Sequence, residues 1–132
     1  MQAWLFALPL SQKFKKVIAV ESGSAATRDL EFNVQRAGLK IDAQNSRVEE
    51  YLEKLDATPD FVLADPPRAG LGKAVTAALN RLAPARITIV SCDPATLARD
   101  LAALGKYKIA KMTLIDLFPQ TYHLETIATL EL

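Results

Sequence analysis

The sequence predicts an α/β fold in which a mostly parallel sheet carries helices on both faces. Three observations predict it: short apolar runs alternate with amphipathic segments, the runs are rich in β-branched residues, and the end of the chain lacks any helical pattern. Short apolar runs without alternation are typical of strands buried on both faces. Strands that alternate with helices indicate parallel pairing, because each crossover helix returns the chain to the same edge of the sheet.

The predicted elements follow this alternation along the chain. Apolar runs predict strands at Lys16–Val20, Asp60–Ala64 and Arg86–Ser91, and a weaker one at Lys40–Ala43. Apolar residues three and four positions apart predict helices at Ser24–Ala37, Ser46–Leu55, Leu71–Leu82 and Ala95–Leu104. Two alternating segments joined by Pro119-Gln120-Thr121 predict a terminal antiparallel hairpin, Tyr107–Phe118 with Tyr122–Leu132.

The composition limits the possible classes of protein. The 132 residues, half of them apolar, predict a single domain, 1–132, with a sizeable core. A net charge of +1 provides no global basic field, so a nucleic acid would have to bind to local patches. One cysteine and one histidine exclude a disulfide framework, a four-thiolate zinc site and a Cys-ligated iron–sulfur cluster within this chain, and we predict no metal. No apolar run approaches the roughly 20 residues of a membrane span, so the predicted localisation is cytoplasmic.

Residues that can carry chemistry are concentrated in three short stretches. Asp65-Pro66-Pro67-Arg68 and Ser91-Cys92-Asp93-Pro94 each follow a predicted strand, and Asp116–Thr126 lies in the predicted hairpin. Ligands of open α/β sheets bind at the carboxyl ends of the strands, which is where the first two stretches fall. Taken alone, a single cysteine is more often a core residue than a nucleophile. The hypothesis of a shared site therefore depends on all three stretches together.

These three stretches closely resemble motifs of the RNA 5-methyluridine (uracil-C5) methyltransferases, which use S-adenosylmethionine (SAM). The resemblance runs from Leu5 to Leu132 and is densest in the second half of the chain. It implies the Rossmann-like SAM-dependent methyltransferase fold, SAM as cofactor and RNA as partner. The implied reaction is transfer of a methyl group to C5 of a uridine in rRNA or tRNA, through a covalent bond between a cysteine and C6.

The resemblance assigns the catalytic roles to two residues. Cys92 matches the nucleophile, and amides at the N-terminus of the following helix would favour its thiolate. Asp93 stands where the family usually has Asn, and a neighbouring carboxylate opposes thiolate formation. Glu125 matches the base that removes the C5 proton, although by itself it also fits the charge pattern of an exposed strand. His123 is given a positioning role next to the substrate.

The pocket residues are implied in the same way. Asp65 would line the pocket for cofactor and substrate, and Arg68 would meet a phosphate or secure the loop. Glu21, which follows the strand ending at Val20, matches the acid that binds the cofactor ribose. Without the resemblance, Asp65 is equally well explained as part of a strand-to-helix loop, and an isolated acid such as Glu21 is a weak signal.

The resemblance also implies that the start of the family's catalytic domain is missing. Leu5–Leu10 resembles the helix after the Gly-rich cofactor turn, and no glycine precedes Gly23. We therefore expect a partial domain without the first strand, with exposed sheet edges that favour self-association. The alternative function is a degenerate domain without activity that acts as an interaction module. A different Rossmann-like nucleotide enzyme would need a Gly-x-Gly-x-x-Gly turn, which the sequence does not contain.

Overall fold

The computed structural model describes residues 4–117, 119–121 and 124–132, and it confirms the α/β alternation. The helices are α1 (Trp4–Ser11), α2 (Ser24–Ala37), α3 (Val48–Lys54), α4 (Gly72–Leu82) and α5 (Pro94–Ala103). The strands are β1 (Val17–Glu21), β2 (Ile41–Asn45), β3 (Phe61–Ala64), β4 (Arg86–Ser91), β5 (Lys108–Asp116) and β6 (Leu124–Glu131). None of the described helices has both the length and the apolar character that crossing a membrane would require.

The chain divides into two compact units, of which the first is Met1–Lys54. In this unit β1 and β2 pair in parallel, with Val17 opposite Ile41. A small core of buried residues from α1, β1 and α2 lies beside this pair: Ala7, Ala19, Leu30 and Val34. Helix α2 ends at Gly38, whose φ of 65° is the left-handed conformation that glycine adopts without a steric penalty.

The second unit, Leu55–Leu132, contains a four-stranded sheet in the order β3-β4-β6-β5. β3 and β4 are parallel, whereas β6 runs antiparallel to both of its neighbours. The predicted C-terminal antiparallel pair is confirmed, and the last strand is inserted between β4 and β5. Buried apolar side chains on β4, β6 and α4 form the core of this unit: Ile87, Ile89, Leu130 and Leu79.

The predicted burial of the strands differs from the structure at β3. All four residues of β3 are only half-buried, although the run Phe61–Ala64 is uniformly apolar. The physical reason is position, because β3 is the edge strand of its sheet. β4, an inner strand, shows the opposite pattern, and its Ile87 and Ile89 are completely buried. An apolar run thus predicted a strand correctly, while its depth depended on its neighbours.

Candidate active site at the strand ends

Three of the predicted site residues lie at the same end of the strands in the four-stranded sheet. Asp65 directly follows β3, Cys92 directly follows β4, and Glu125 is the second residue of β6. Ser91 is opposite Thr126, so continuing this register by one residue brings Cys92 opposite Glu125. Neighbouring strands are about 4.8 Å apart, which separates β3 from β6 by about 10 Å. The nucleophile and the base predicted from the sequence therefore come from adjacent strands.

Cys92 is exposed at the turn between β4 and α5. The turn is held by the buried hydroxyl of Ser91, which donates to the carbonyl oxygen of Asp93 at 3.0 Å. The same Oγ accepts from the backbone N–H of Asp93 at 3.2 Å. Both bonds span Cys92, whose own side chain is exposed to solvent. This arrangement suits a nucleophile, because a thiol must be accessible to react.

Asp93 is the N-cap of α5, a role that the sequence reasoning did not give it. Its Oδ1 accepts from the backbone N–H of Ala95 at 2.9 Å and of Thr96 at 3.0 Å. The hydrogen bond from Thr96, with that from Ala95 and the ion pair to Arg68, holds the pKa of Asp93 below its ordinary value. Two of the amides expected to favour the Cys92 thiolate are thus occupied by the Asp93 carboxylate. Asn caps helices as well as Asp, so the departure from the family residue preserves the cap.

The pKa of the Asp65 carboxyl group is strongly raised. Burial raises the pKa of Asp65 to about 6, and the negative charge of Glu125 adds to this shift. Oδ2 of Asp65 is buried and has no hydrogen-bond partner among the described residues. A buried carboxylate oxygen without a partner is costly, and such groups are concentrated at functional sites. Asp65 is therefore poised to exchange a hydrogen bond with a bound molecule.

Arg68 lies in the loop after β3 and contacts the first turn of α5. Its Nε lies 3.5 Å from Oδ2 of Asp93, and its carbonyl oxygen accepts from Oγ1 of Thr96 at 3.1 Å. The Arg68 side chain remains 82% exposed, so the ion pair contributes little to stability. What it does provide is a link between two of the motifs, the Asp-Pro-Pro-Arg loop and the turn that carries Cys92.

Sequence reasoning missed Asp100, which lies on the buried face of α5. Leu97, Asp100 and Leu104 are three and four residues apart and have exposed fractions of 4, 2 and 1%. A charged residue in the middle of an otherwise apolar helix face was the signal that could have identified it, because buried charges require a partner. One partner is the backbone N–H of Leu71, which donates to Oδ2 of Asp100 at 2.7 Å.

Glu21 belongs to the first unit, where it is the last residue of β1. Its Oε1 accepts from the backbone N–H of Gly23 at 3.1 Å, so the carboxylate folds over the turn into α2. The carbonyl oxygen of Glu21 accepts from the N–H of Ser46 at 3.2 Å and from the hydroxyl of Thr27 at 3.3 Å. The carboxylate thus lies at the carboxyl end of β1. His123, the remaining predicted site residue, lies outside the described residues.

Comparison with a solved structure identifies the class of this fold, and comparison of sequences then identifies the family. The chain superimposes on an N-methyltransferase from Bradyrhizobium japonicum, solved in complex with S-adenosyl-L-homocysteine, with a TM-score of 0.78, 12% identity and coverage of 98% of this chain and 72% of that one. This likeness shows the Rossmann-like methyltransferase fold. A sequence model of the family described as tRNA (Uracil-5-)-methyltransferase matches residues 4–132. The chain therefore belongs to that family, as the three motifs predicted.

Individual relatives agree with this assignment. An uncharacterized RNA methyltransferase from Thermosynechococcus vestitus is 43% identical over 93% of this chain, and one from Thermotoga maritima is 39% identical over 95%. The tRNA (uracil-54, C5)-methyltransferase of Pyrococcus abyssi, solved with S-adenosyl-L-homocysteine, is 33% identical, with a TM-score of 0.85 over 95% of this chain. The chain spans 28, 29 and 31% of the lengths of these three proteins, respectively.

Proposed function

We propose that this chain is part of a single SAM-dependent catalytic domain that methylates C5 of a uridine in rRNA or tRNA. The observation that carries the proposal is the register of β4 and β6, which brings Cys92 and Glu125 to adjacent strand ends. A nucleophile and a base must both reach one pyrimidine ring, and neighbouring strands provide that proximity. Membership of the uracil-C5 family supports the reaction class.

Cys92 would start the reaction as a thiolate. Addition of its sulfur to C6 of the uracil breaks the C5–C6 double bond and moves the electron pair towards C5 and the C4 carbonyl oxygen. SAM supplies the methyl group that C5 then acquires. The target base has to leave its stack for Cys92 to reach C6, since the ring is inaccessible inside a duplex.

Glu125 would complete the reaction as the general base. The methylated ring still carries the original hydrogen on C5, and the Glu125 carboxylate takes that hydrogen as a proton. The electron pair of the C5–H bond re-forms the C5–C6 double bond and expels the Cys92 thiolate. The enzyme is thereby regenerated except for one proton on Glu125, which passes to solvent. β6 suits this role because its end places the half-buried Glu125 beside the β4 turn.

The family resemblance implies a cofactor-binding role for two further carboxylates, one in each unit. The unpartnered buried oxygen of Asp65 offers a hydrogen-bonding group at the strand ends, and Glu21 ends β1 with a carboxylate suited to ribose hydroxyls. A direct test is calorimetry of SAM binding to the 132-residue chain and to its Glu21→Ala and Asp65→Ala variants. We expect binding by the parent chain and its loss in both variants. Asp60→Ala is the control, because Asp60 is exposed and precedes β3 at its opposite end.

The nucleophile is tested by trapping. RNA containing 5-fluorouridine should form a covalent adduct with the chain in the presence of SAM, because fluorine on C5 cannot be removed as a proton by Glu125. The adduct is detected as a mass increase of the protein, and it should be absent in Cys92→Ser. Glu125→Gln should still form the adduct, since its role comes after the bond to C6. SAM binding without any adduct would contradict the role of Cys92.

One observation favours the alternative function, an interaction module without catalysis. Ile109, Met112 and Leu114 of the edge strand β5 lie opposite buried residues of β6, yet all three are about half exposed or more. Apolar side chains left uncovered at a sheet edge favour association, here with a second copy of the chain. Absence of SAM binding together with concentration-dependent association would favour this alternative over methylation.

A further inference from the structure

We propose that Arg99 and Asp100 are positioning residues that hold the loop carrying Asp65 and Arg68 against α5, the helix that follows Cys92. The inference deepens the proposed function and rests on it for the identity of the site, although the contacts themselves do not. The loop runs from Asp65 to Leu71 and has no regular secondary structure. Its first residue, Asp65, directly follows β3.

Helix α5 contacts the loop through three hydrogen bonds. Oγ1 of Thr96 donates to the carbonyl oxygen of Arg68 at 3.1 Å, and Nη2 of Arg99 donates to that of Ala69 at 2.7 Å. Oδ2 of Asp100 accepts from the backbone N–H of Leu71 at 2.7 Å. Arg99 and Asp100 lie three and four residues after Thr96, so each is a neighbour of Thr96 on the surface of α5. The helix thus binds the loop backbone at Arg68, Ala69 and Leu71, and we call these three contacts the loop clamp.

Asp100 is at the centre of the loop clamp. Its side chain is 3% exposed, and Oδ1 accepts from Nη2 of Arg99 at 3.0 Å and from Nε at 3.3 Å. Both carboxylate oxygens therefore have partners, which compensates for the cost of burying the charge. An apolar residue at position 100 would continue the buried face between Leu97 and Leu104 without needing partners, so packing alone does not explain a charge there. Fixing the loop in one position does explain it.

Gly70 shows how closely the loop approaches the helix. Its φ is 83°, and a Cβ built on it would lie 2.5 Å from Oδ2 of Asp100 and 2.6 Å from Nη2 of Arg99. Its N–H donates to the carbonyl oxygen of Pro67 at 2.8 Å, which closes a tight turn. A residue with a side chain at this position would thus collide with the side chains of Arg99 and Asp100. The glycine permits the contact that the two charged residues make.

The loop clamp links two parts of the candidate site that are far apart in the chain. Arg68 also pairs with Asp93, the residue after Cys92, so the loop is tied both to the body of α5 and to its first turn. Release of the loop should expose Asp65 to water while leaving β3 and β4 paired through their backbones. The exposure of Asp65 is therefore a measure of the clamp that is separate from overall folding.

The test is the titration of Asp65 followed by the ¹³C chemical shifts of aspartate carboxyl groups, with Asp65→Asn used for assignment. The pKa of Asp65 in the parent chain is about 6, against an ordinary value of 3.8. Arg99→Met keeps most of the side-chain length but removes the bonds to Ala69 and Asp100. We expect the titration midpoint to fall towards 3.8, because water reaches the released carboxyl group. Loss of the positive charge alone would raise the midpoint, so the direction separates the two effects.

Arg86→Met is the matched control. Arg86 is in the same unit, its side chain is 56% exposed like that of Arg99, and it also makes a carboxylate ion pair, with Glu131. The titration midpoint of Asp65 in Arg86→Met should be the same as in the parent chain. An unchanged or raised midpoint in a folded Arg99→Met, or an equal fall in Arg86→Met, would overturn the proposal. Asp100→Asn should lower the midpoint as well, but removal of a negative charge by itself also lowers it, so Arg99→Met decides the question.

These measurements require neither SAM nor RNA. A fall of the Asp65 midpoint in a chain that forms no adduct with fluorinated RNA would support the loop clamp and count against the proposed function. An adduct formed by a chain whose Asp65 midpoint does not respond to Arg99→Met would do the reverse. The two proposals therefore fail separately.

Discussion

Replacing Asp65 by Asn should stabilise the protein at neutral pH but not at acid pH. The pKa of the Asp65 carboxyl group is about 6 in the folded chain, whereas the unfolded chain has the ordinary value of 3.8. Well below pH 3.8 the carboxyl group is protonated in both the folded and the unfolded chain, so its charge costs nothing. As the pH rises from about 4 to about 6 the unfolded chain ionises first, and the free energy of unfolding decreases. Above that range the full cost of the buried charge is present.

The magnitude follows from the size of the shift. A change of roughly two units at about 1.4 kcal/mol per unit gives an upper limit of about 3 kcal/mol. Asp65 is only half-buried, and solvent screening of its charge reduces this value to about 1–1.5 kcal/mol. Asn has the same shape and no charge. The stability of Asp65→Asn relative to the parent chain should therefore increase by about 1–1.5 kcal/mol between pH 4 and pH 7.5.

Urea unfolding of both chains at the two pH values measures this quantity. At pH 4 the folded carboxyl group is neutral and most of the cost of its charge is absent, so the difference there mainly reports the exchange of one neutral buried group for another, and the change with pH reports the charge. Asp60→Asn is the control, because an exposed aspartate stays in water whether the chain is folded or not. A stability difference that is the same at both pH values, or that favours the parent chain more at pH 7.5, would refute the assignment of a strained carboxylate to Asp65.

Three further predictions concern the fold and its surfaces. Gly70→Ala should cost about 2 kcal/mol or more by thermal unfolding, since it combines a positive φ with a collision against Arg99 and Asp100. Gly38→Ala is the control and should cost only about 1–2 kcal/mol, because Gly38 has a φ of 65° but open space around it. Equal losses of stability in the two variants would contradict the collision. Ile87→Ala should cost about 2–5 kcal/mol by urea unfolding because Ile87 is completely buried, and a loss below 1 kcal/mol would show that this core is not packed as described. The parent chain should self-associate in sedimentation equilibrium, and Leu114→Lys should weaken that association, because Leu114 is a 66% exposed apolar residue on an edge strand; a parent chain that is monomeric at all concentrations would contradict this.

Most elements could be predicted from the sequence because their signals are local. α2 was predicted with its observed bounds, since its apolar periodicity ends at Gly38, a residue that stops helices. β4 was also predicted correctly, from a β-branched run between Pro84 and the Ser91-Cys92-Asp93-Pro94 turn. The position of β6 between β4 and β5 was not predicted. A hairpin pattern specifies that β5 and β6 pair, but not which of them contacts β4.

The candidate site was predictable in part for the same reason. The motifs identified Cys92 and Asp65 as residues after strands, and parallel strands bring such residues to one edge. The role of Asp93 as a helix cap is also local, and Pro94 at the start of α5 could have indicated it. The loop clamp was not predictable in this way, because the bond from Leu71 to Asp100 joins residues that are far apart in the chain.

The sequence by itself determined the order of strands and helices, the family and the identity of the nucleophile and base that we propose. Those properties depend on residues a few positions apart, or on short motifs that can be read directly. Only the tertiary structure decided that Glu125 lies across from Cys92, that burial raises the pKa of Asp65, and that α5 binds the loop after β3. Each of these depends on the distance between groups that the chain brings together only on folding, and electrostatic and hydrogen-bond energies are functions of that distance.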